Sequence, residues 1–166
     1  VGFDLRHPNL LAAHDMGYLG ARRRYVAFDL ALGGNLRGRL DRRVSLAFAR
    51  HVLVQVARAL EVLHAAGIVH RDLKPENVLL AEDSIFPRVL LCDYGAAESV
   101  RMGDALGDAG SPAYMAPEQI GGACDTRADV YALGVLAYEL LAGERPFVGE
   151  PRVVLDAHER VEPDAE

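Results

Sequence analysis

Four polar side chains near the middle of the sequence have the types and spacing that phosphate chemistry requires. Asp72, Lys74 and Asn77 lie in the block His-Arg-Asp-Leu-Lys-Pro-Glu-Asn at positions 70–77, and Asp93 follows after a short apolar run. Carboxylate and amide oxygens suit Mg²⁺, and a lysine ammonium neutralises phosphate charge. Phosphoryl transfer depends mainly on positioning and charge neutralisation, so the pattern predicts a site for a magnesium-bound nucleotide and a hydroxyl acceptor.

The composition is that of an ordinary globular domain. The 166 residues are 51% hydrophobic and 25% charged, which is enough for one domain with a buried core. The formal net charge of −6 argues against a nucleic-acid or anionic-membrane surface, because both need clustered positive charge. Cys92 and Cys124 make no disulfide framework and favour a reducing compartment. No signal peptide or membrane-spanning stretch is visible.

The hydrophobic pattern predicts a mixture of strands and helices. Residues 10–16 and 24–30 are expected to pair as an antiparallel hairpin around a turn at 17–20. A long helix is expected between Ser45 as N-cap and Gly67 as C-cap, because apolar residues recur there at three and four. A short helix is predicted at 36–40, and strands are predicted at 68–69, 78–80 and 88–91. A helix at 128–141 is expected to be buried on all sides, capped by Asp125 or Thr126 and ended by Gly143. An amphipathic segment is predicted at 152–161.

Four blocks of sequence occur in an order and spacing that one enzyme family shares. They are the block at 70–77, Asp-Tyr-Gly at 93–95, Gly-Ser-Pro-Ala-Tyr-Met-Ala-Pro-Glu at 110–118 and Asp-Val-Tyr-Ala-Leu-Gly at 129–134. Together they resemble the eukaryotic-type Ser/Thr protein kinases, in the form also found in bacteria. The resemblance covers nearly all of the chain.

The resemblance implies an α+β, protein kinase-like fold that is truncated at both ends. Residues 1–30 would be the last strands of the N-terminal lobe and the start of the hinge, and residues 31–166 the mainly helical C-terminal lobe. Lys74 is the only lysine, and no Gly-x-Gly-x-x-Gly occurs. We therefore expect the family's glycine loop and strand lysine to lie upstream, and residues 1–166 alone to transfer little or no phosphate.

The same resemblance implies the catalytic roles. Asp72 would orient or accept the proton of the substrate hydroxyl, and Lys74 would contact the moving phosphoryl group. Asn77 and Asp93 would complete the catalytic set as magnesium ligands. ATP and Mg²⁺ are the implied cofactors.

Three further groups of positions acquire roles through the resemblance. The adenine site would consist of Phe28 at its back, the hinge backbone of Asp29 and Ala31, Asn35, Leu79 under the base, and Cys92 beside Asp93. The substrate groove would contain Ser111, which would touch Asp72 and Lys74, together with Pro112 and a buried Glu118. The structural positions would be His70, Arg71, Tyr94, Gly95 and Asp129. Of these, Asp129 would accept backbone hydrogen bonds from the catalytic loop, and the Tyr94 hydroxyl would need a partner such as a backbone carbonyl.

The activation segment departs from the family pattern. Gly107 stands where many members carry a phosphorylatable threonine, and Ser99 is the only hydroxyl residue between Gly95 and Ser111. We expect Asp104 or Asp108 to supply the negative charge for Arg71 instead.

Two other functions remain open from the residues alone. One is a catalytically silent pseudokinase that binds partners through its groove, and the other is a small-molecule kinase. Lys74 and the block at 111–118 favour a protein kinase, because small-molecule kinases that resemble this fold lack that block. The expected partners are proteins with Ser or Thr acceptors, without nucleic-acid or membrane contact, and the expected location is the cytoplasm.

Overall fold

The computed structural model describes residues 5–20, 23–40, 43–94, 111–120, 122, 124–161 and 163. Helices dominate this part of the chain, and two small antiparallel sheets accompany them, so the predicted α+β class is confirmed. The elements are β1 (Ala13–Leu19), β2 (Arg23–Phe28), a 3₁₀ helix (Leu36–Arg39), α1 (Leu46–Ala65), a 3₁₀ turn (Pro75–Asn77), β3 (Val78–Leu80), β4 (Val89–Leu91), a 3₁₀ turn (Pro112–Tyr114), α2 (Pro117–Ile120), α3 (Thr126–Ala142) and α4 (Pro151–Arg160).

The predicted hairpin is present, but its turn lies further along the chain than expected. β1 and β2 pair antiparallel, and Gly17 lies opposite Tyr25 inside the ladder rather than in a turn. A Cβ atom on Gly17 would lie 2.8 Å from Cε1 of Tyr25, so the missing side chain leaves room for the tyrosine ring. Glycine was read from sequence as a turn residue, whereas here it allows a close cross-strand approach.

The predicted long helix is confirmed as α1, with Ser45 as its N-cap; its C-cap is Ala66, one residue before the predicted Gly67. The Ser45 hydroxyl accepts a hydrogen bond from Phe48 N at 3.2 Å, which satisfies one of the free N–H groups of the first turn. Gly67 follows the helix at φ +73°, the left-handed conformation that ends helices. The apolar face of α1 packs against α3 and β4 in the main core.

β3 and β4 form the second hairpin, close to their predicted positions. The segment before β1 joins this sheet, because Leu11 N donates to Leu91 O and Leu91 N donates to Asn9 O, both at 2.9 Å. The strand predicted at 68–69 is wrong. Ile68 N donates to Leu63 O at 2.9 Å and so completes the end of α1, after which the chain enters the loop before Pro75.

α3 is capped by Asp125, whose carboxylate accepts from Arg127 N, and it ends at Gly143 with φ +86°. The expectation that it is buried on all sides is wrong. Val130 and Leu141 are 60% and 59% exposed, because within the described ranges no element covers that side of the helix. α4 confirms the predicted amphipathic segment, with Val154, Leu155 and His158 buried.

Within the described residues, no helix has the length and apolar character that crossing a membrane requires.

Candidate active site

The Asp72 carboxylate contacts three other residues of the candidate site. Its Oδ2 accepts from Lys74 Nζ at 2.7 Å and from Asn77 Nδ2 at 3.1 Å. Its Oδ1 accepts from the backbone N–H of Ser111 at 3.1 Å. The predicted contact between Ser111 and Asp72 therefore runs through the backbone. The Asp72 side chain remains 32% exposed, so it is accessible to a ligand.

A buried carboxylate holds the loop that carries Asp72. Asp129 on α3 is 1% exposed and accepts hydrogen bonds from His70 N at 2.8 Å and Arg71 N at 2.9 Å. The backbone of Arg71 has φ +67°, a conformation that non-glycine residues rarely adopt. The charge-assisted hydrogen bonds that the Asp129 carboxylate accepts from these backbone N–H groups offset the strain. A third donor, His64 Nε2 at 2.7 Å, was missed, although its place on the last turn of α1 was predictable.

His70 joins the catalytic loop to the end of β4. Asp72 N donates to His70 Nδ1 at 3.3 Å, so the proton of the ring lies on Nε2, which donates to Cys92 O at 2.9 Å. Burial lowers the pKa of His70, and the nearby Asp129 charge opposes this effect. The neutral imidazole thus links the loop to the residue just before Asp93.

Asn77 and Asp93 are suited to hold a hard cation. The Asn77 side chain uses Nδ2 for its bonds to Asp72 O, at 2.8 Å, and to Asp72 Oδ2. These bonds leave the carbonyl oxygen Oδ1 as its ligand atom. Asp93 is exposed, with φ +64°, and Cys92 N donates to Asn77 O at 3.0 Å, which joins the two segments. One amide and one carboxylate oxygen fit Mg²⁺, which usually keeps waters and phosphate oxygens as its other ligands.

The residues implied for adenine binding fall into two places. Leu79 packs against the small cluster that contains the buried Cys92, and Asn35 forms an isolated antiparallel β-bridge with Leu79, so the three residues lie in one region. Burial, and then the charge of Asp93, raise the pKa of the Cys92 thiol to about 12, so it stays protonated. Phe28 lies at the end of β2 and is 48% exposed.

The segment predicted to be the start of the hinge continues from Phe28 toward β3. The exposed Asp29 carboxylate pairs with His14 Nε2 at 2.8 Å, and Ala31 is half-buried. Beyond Ala31, the chain follows the β3 end closely, because Gly33 N donates to Leu80 O at 2.9 Å.

Of the three predicted substrate-groove positions, Ser111 lines a shallow depression beside Asp72. Pro112 starts the 3₁₀ turn that follows, and Glu118 lies on α2. Glu118 is half-buried, so the expectation that it is buried is wrong. Gln119, which sequence reasoning missed, donates to Arg71 O at 3.1 Å and accepts from Ala116 N at 2.9 Å. The depression is lined by Arg71, Asp72, Leu73, Ser111, Tyr114 and Met115.

A second missed feature is a charged network around Arg37. Its guanidinium donates to Glu139 at 2.6 Å, to Glu76 at 2.8 Å and to the Tyr114 hydroxyl at 2.6 Å. The Tyr114 hydroxyl in turn donates to Glu139. Burial, and then the bond to Glu139, raise the pKa of Tyr114. The network joins the 3₁₀ helix Leu36–Arg39 to α3 and to the 3₁₀ turn Pro112–Tyr114.

Tyr94 confirms the expectation for its hydroxyl, which donates to the backbone carbonyl of Leu11 at 2.9 Å. The other expectations for the activation segment concern residues outside the described part of the chain. These are Gly95, Ser99, Asp104, Gly107 and Asp108.

Comparisons with known proteins agree with this geometry. The family model described as "Protein kinase domain" matches residues 3–162. Serine/threonine-protein kinases PknA and PknL of Mycobacterium tuberculosis are each 38% identical, over 159 and 168 residues, covering 88% and 96% of this chain. Calcium/calmodulin-dependent protein kinase type 1B of Rattus norvegicus is 40% identical over 150 residues, covering 88% of the chain. The chain spans only 36%, 40% and 43% of these relatives' lengths. The chain belongs to the protein kinase domain family.

Proposed function

We propose that the full-length protein transfers the γ-phosphoryl group of ATP to serine and threonine hydroxyls of other proteins. The observation that carries this proposal is that each oxygen of the Asp72 carboxylate contacts a different part of the site. One oxygen accepts from the Ser111 backbone and the other from Lys74. A single carboxylate thus joins the phosphate-facing loop to the segment that resembles the peptide groove of the family.

Asp72 is the proposed acceptor of the substrate proton. The hydroxyl oxygen of the acceptor forms a bond to the γ-phosphorus, the bond from that phosphorus to the bridging oxygen breaks, and ADP leaves with the electron pair. The hydroxyl proton passes to the Asp72 carboxylate. Lys74, 2.7 Å from that carboxylate, is proposed to hold a phosphoryl oxygen as a compact positive charge.

Asn77 and Asp93 are the proposed holders of magnesium, through Asn77 Oδ1 and the Asp93 carboxylate. When bound, the metal neutralises charge on the phosphate oxygens. The contribution of this chain is to fix the two ligands relative to Asp72. It does so through the Nδ2 bonds of Asn77 and the backbone bond from Cys92 to Asn77.

The adenine ring is proposed to bind against the cluster that contains Leu79 and Cys92. The backbone of Asp29 and Ala31 would form its hydrogen bonds, Phe28 would close the back, and Asn35 would line the entrance beside Leu79. The two free thiols and the need for ATP favour the cytoplasm as the place of action.

The test is a phosphorylation assay with the full-length protein, ATP, Mg²⁺ and peptide libraries that each offer only Ser, Thr or Tyr as acceptor. We expect labelled Ser and Thr peptides, unlabelled Tyr peptides, and no labelling after a chelator removes the metal. ATP binding without transfer to any peptide would overturn the proposal in favour of a pseudokinase. Transfer to metabolites in place of peptides would overturn it in favour of a small-molecule kinase.

A further inference from the structure

The guanidinium of Arg37 is held by acceptors on three sides. Its Nε donates to Glu76 Oε1 at 2.8 Å, its Nη1 to Glu139 Oε1 at 2.6 Å and its Nη2 to the Tyr114 hydroxyl at 2.6 Å. The Tyr114 hydroxyl donates to the second carboxylate oxygen of Glu139. Glu76, Glu139 and Tyr114 together form an acidic subsite whose charge and spacing match a planar guanidinium.

The acidic subsite borders the place where a peptide would approach Asp72. Tyr114 lines the depression beside Asp72. Glu76 lies in the 3₁₀ turn that directly follows Lys74, and its side chain is 43% exposed. The Arg37 side chain is 34% exposed, so a bound peptide can reach this part of the network. Side chains that flank an acceptor hydroxyl at Asp72 are therefore close to the subsite.

The two carboxylates of the subsite differ in burial. The Glu139 side chain on α3 is 6% exposed, and a buried carboxylate without a positive partner is strongly unfavourable. Glu76 is at the surface, where water can solvate it. One guanidinium and two carboxylates leave a formal charge of −1, and loss of the guanidinium would leave −2. Arg37 thus satisfies a site that the arginine of a peptide could also satisfy.

The fold holds Arg37 in the subsite whether or not a peptide is present. Arg37 belongs to the 3₁₀ helix Leu36–Arg39, whose N-cap Asn35 accepts from Gly38 N at 3.3 Å. The preceding Leu36 is fully buried in the main core. A group that is tethered beside its site has a high effective concentration, so a side chain from solution does not easily displace it.

We propose that Arg37 is a specificity-determining residue, whose guanidinium fills an acidic subsite that would otherwise bind a basic side chain of the acceptor peptide. An arginine or lysine near the acceptor then finds both carboxylates engaged and meets a like charge, which is unfavourable. The protein should therefore not prefer basic residues beside the acceptor. The inference rests on the proposed function, because it concerns the peptide that brings its hydroxyl to Asp72.

Peptides that differ in one residue test this specificity in the full-length protein. Each has a single Ser acceptor and either Arg or Ala at one flanking position, and the readout is the ratio of kcat/KM for the Arg peptide to that for the Ala peptide. For wild type we expect a ratio within about twofold of unity at every position. Arg37→Met keeps the apolar stem without the charge, and should raise the ratio about tenfold at one position, as for one partly exposed ion pair.

Two further variants identify the carboxylates as the cause of the change. Arg37→Met/Glu76→Gln removes one carboxylate of the subsite and should lose most of the gained preference. Arg127→Met removes an exposed arginine that pairs with Asp125, and should keep the wild-type ratio. A purely structural role of Arg37 would lower kcat/KM equally for Arg and Ala peptides, and would leave the ratio unchanged.

Binding of methylguanidinium tests the subsite without a phosphorylation assay. Arg37→Ala leaves a gap in which this ion can take the place of the missing side chain. We expect about 20 mM methylguanidinium to raise the Tm of Arg37→Ala by about 3 °C, because a ligand that binds the native state stabilises it. The Tm of wild type and of Arg37→Ala/Glu76→Gln should stay within about 1 °C of the value without the ion.

An unchanged ratio in Arg37→Met would overturn the proposal, as would equal methylguanidinium shifts in Arg37→Ala and wild type. A wild-type preference for Arg peptides that Glu76→Gln abolishes would also overturn it, since the subsite would then be open. If the Met and Ala variants do not fold, Arg37→Lys decides, because its ammonium cannot reach all three acceptors and the ratio should rise about threefold. If wild type labels no peptide, the proposed function fails, and the methylguanidinium shift alone decides whether the subsite accepts a guanidinium.

Discussion

Lys74 Nζ lies 2.7 Å from Oδ2 of Asp72, so the one lysine of the chain neutralises the central carboxylate of the site. The other basic side chains are arginines, whose planar guanidinium cannot replace a compact ammonium in the same space. The Lys74–Asp72 ion pair thus places a positive charge beside the carboxylate that is proposed to receive a proton.

Lys74→Met should reduce kcat for peptide phosphorylation about 100-fold, because it removes the positive charge that is proposed to hold the transferred phosphoryl group. Lys74→Arg should restore less than a tenth of the wild-type kcat, since the planar guanidinium does not reproduce the compact charge of the ammonium. Steady-state kinetics on the full-length protein measures both. The matched control is Arg127→Met, which removes an exposed positive charge paired with Asp125 and should leave kcat unchanged. A Lys74→Met rate equal to that of the control would contradict the proposed role.

Asp129→Asn should destabilise the fold by about 3 kcal/mol. The amide has one acceptor oxygen in place of two charged ones, and its NH₂ group would face the backbone N–H of either His70 or Arg71. Urea unfolding of the full-length protein gives the difference in free energy. Asp156→Asn, on an exposed ion pair of α4, should cost less than about 0.5 kcal/mol. Equal effects of the two substitutions would show that Asp129 does not hold the loop.

Arg37→Ala should cost about 2 kcal/mol of stability, because it leaves the buried Glu139 carboxylate with the Tyr114 hydroxyl as its one side-chain partner among the described residues. Arg37→Lys should recover part of this loss, since it keeps the charge but not the three-way geometry. Urea unfolding measures both variants. Arg127→Ala, at an 82% exposed side chain, is the control and should change stability little. If Arg37→Ala is as stable as that control, the network contributes nothing.

Gly33→Ala should destabilise the protein by about 2 kcal/mol and raise the KM for ATP. A Cβ atom there would clash with Glu82 O and lie 2.8 Å from Leu80 Cβ, so the segment around Gly33 would have to move away from β3. Gly38→Ala is a matched control, because nothing lies within 4 Å of its Cβ position. Thermal unfolding and ATP kinetics should separate the two glycines. The same behaviour in both would mean that the close approach at Gly33 is unimportant.

The sequence predicts what is encoded locally. The Ser45 cap of α1 follows from residue type and helical period, and the structure confirms it; the other end is displaced by one residue, because Ala66 is the C-cap and Gly67 follows it in the left-handed conformation. The catalytic-loop block was recognisable because its residues are close together in the chain. The turn predicted at Gly17 is wrong because glycine occurs both in turns and where neighbouring strands approach closely. Only the position of the Tyr25 ring on the paired strand distinguishes the two cases.

The parts that escaped prediction depend on distant residues. Arg37 and Glu139 are separated by 102 positions, and neither is unusual for its local segment. His158 is buried because α4 packs against the 3₁₀ turn Pro112–Tyr114, which lies far from it in the sequence. Such relationships follow from how helices pack, which periodicity alone does not specify.

The most direct test of the central claim is Asp72→Asn in the full-length protein, assayed for peptide phosphorylation and for ATP binding. The amide keeps the size of the side chain and an acceptor oxygen for the Ser111 N–H, but it cannot take up the proton of the acceptor hydroxyl. We predict that kcat falls about 1,000-fold while the affinity for ATP stays within about twofold of wild type. Phosphorylation at the wild-type rate by this variant would contradict the assignment of Asp72 as the residue around which the site works.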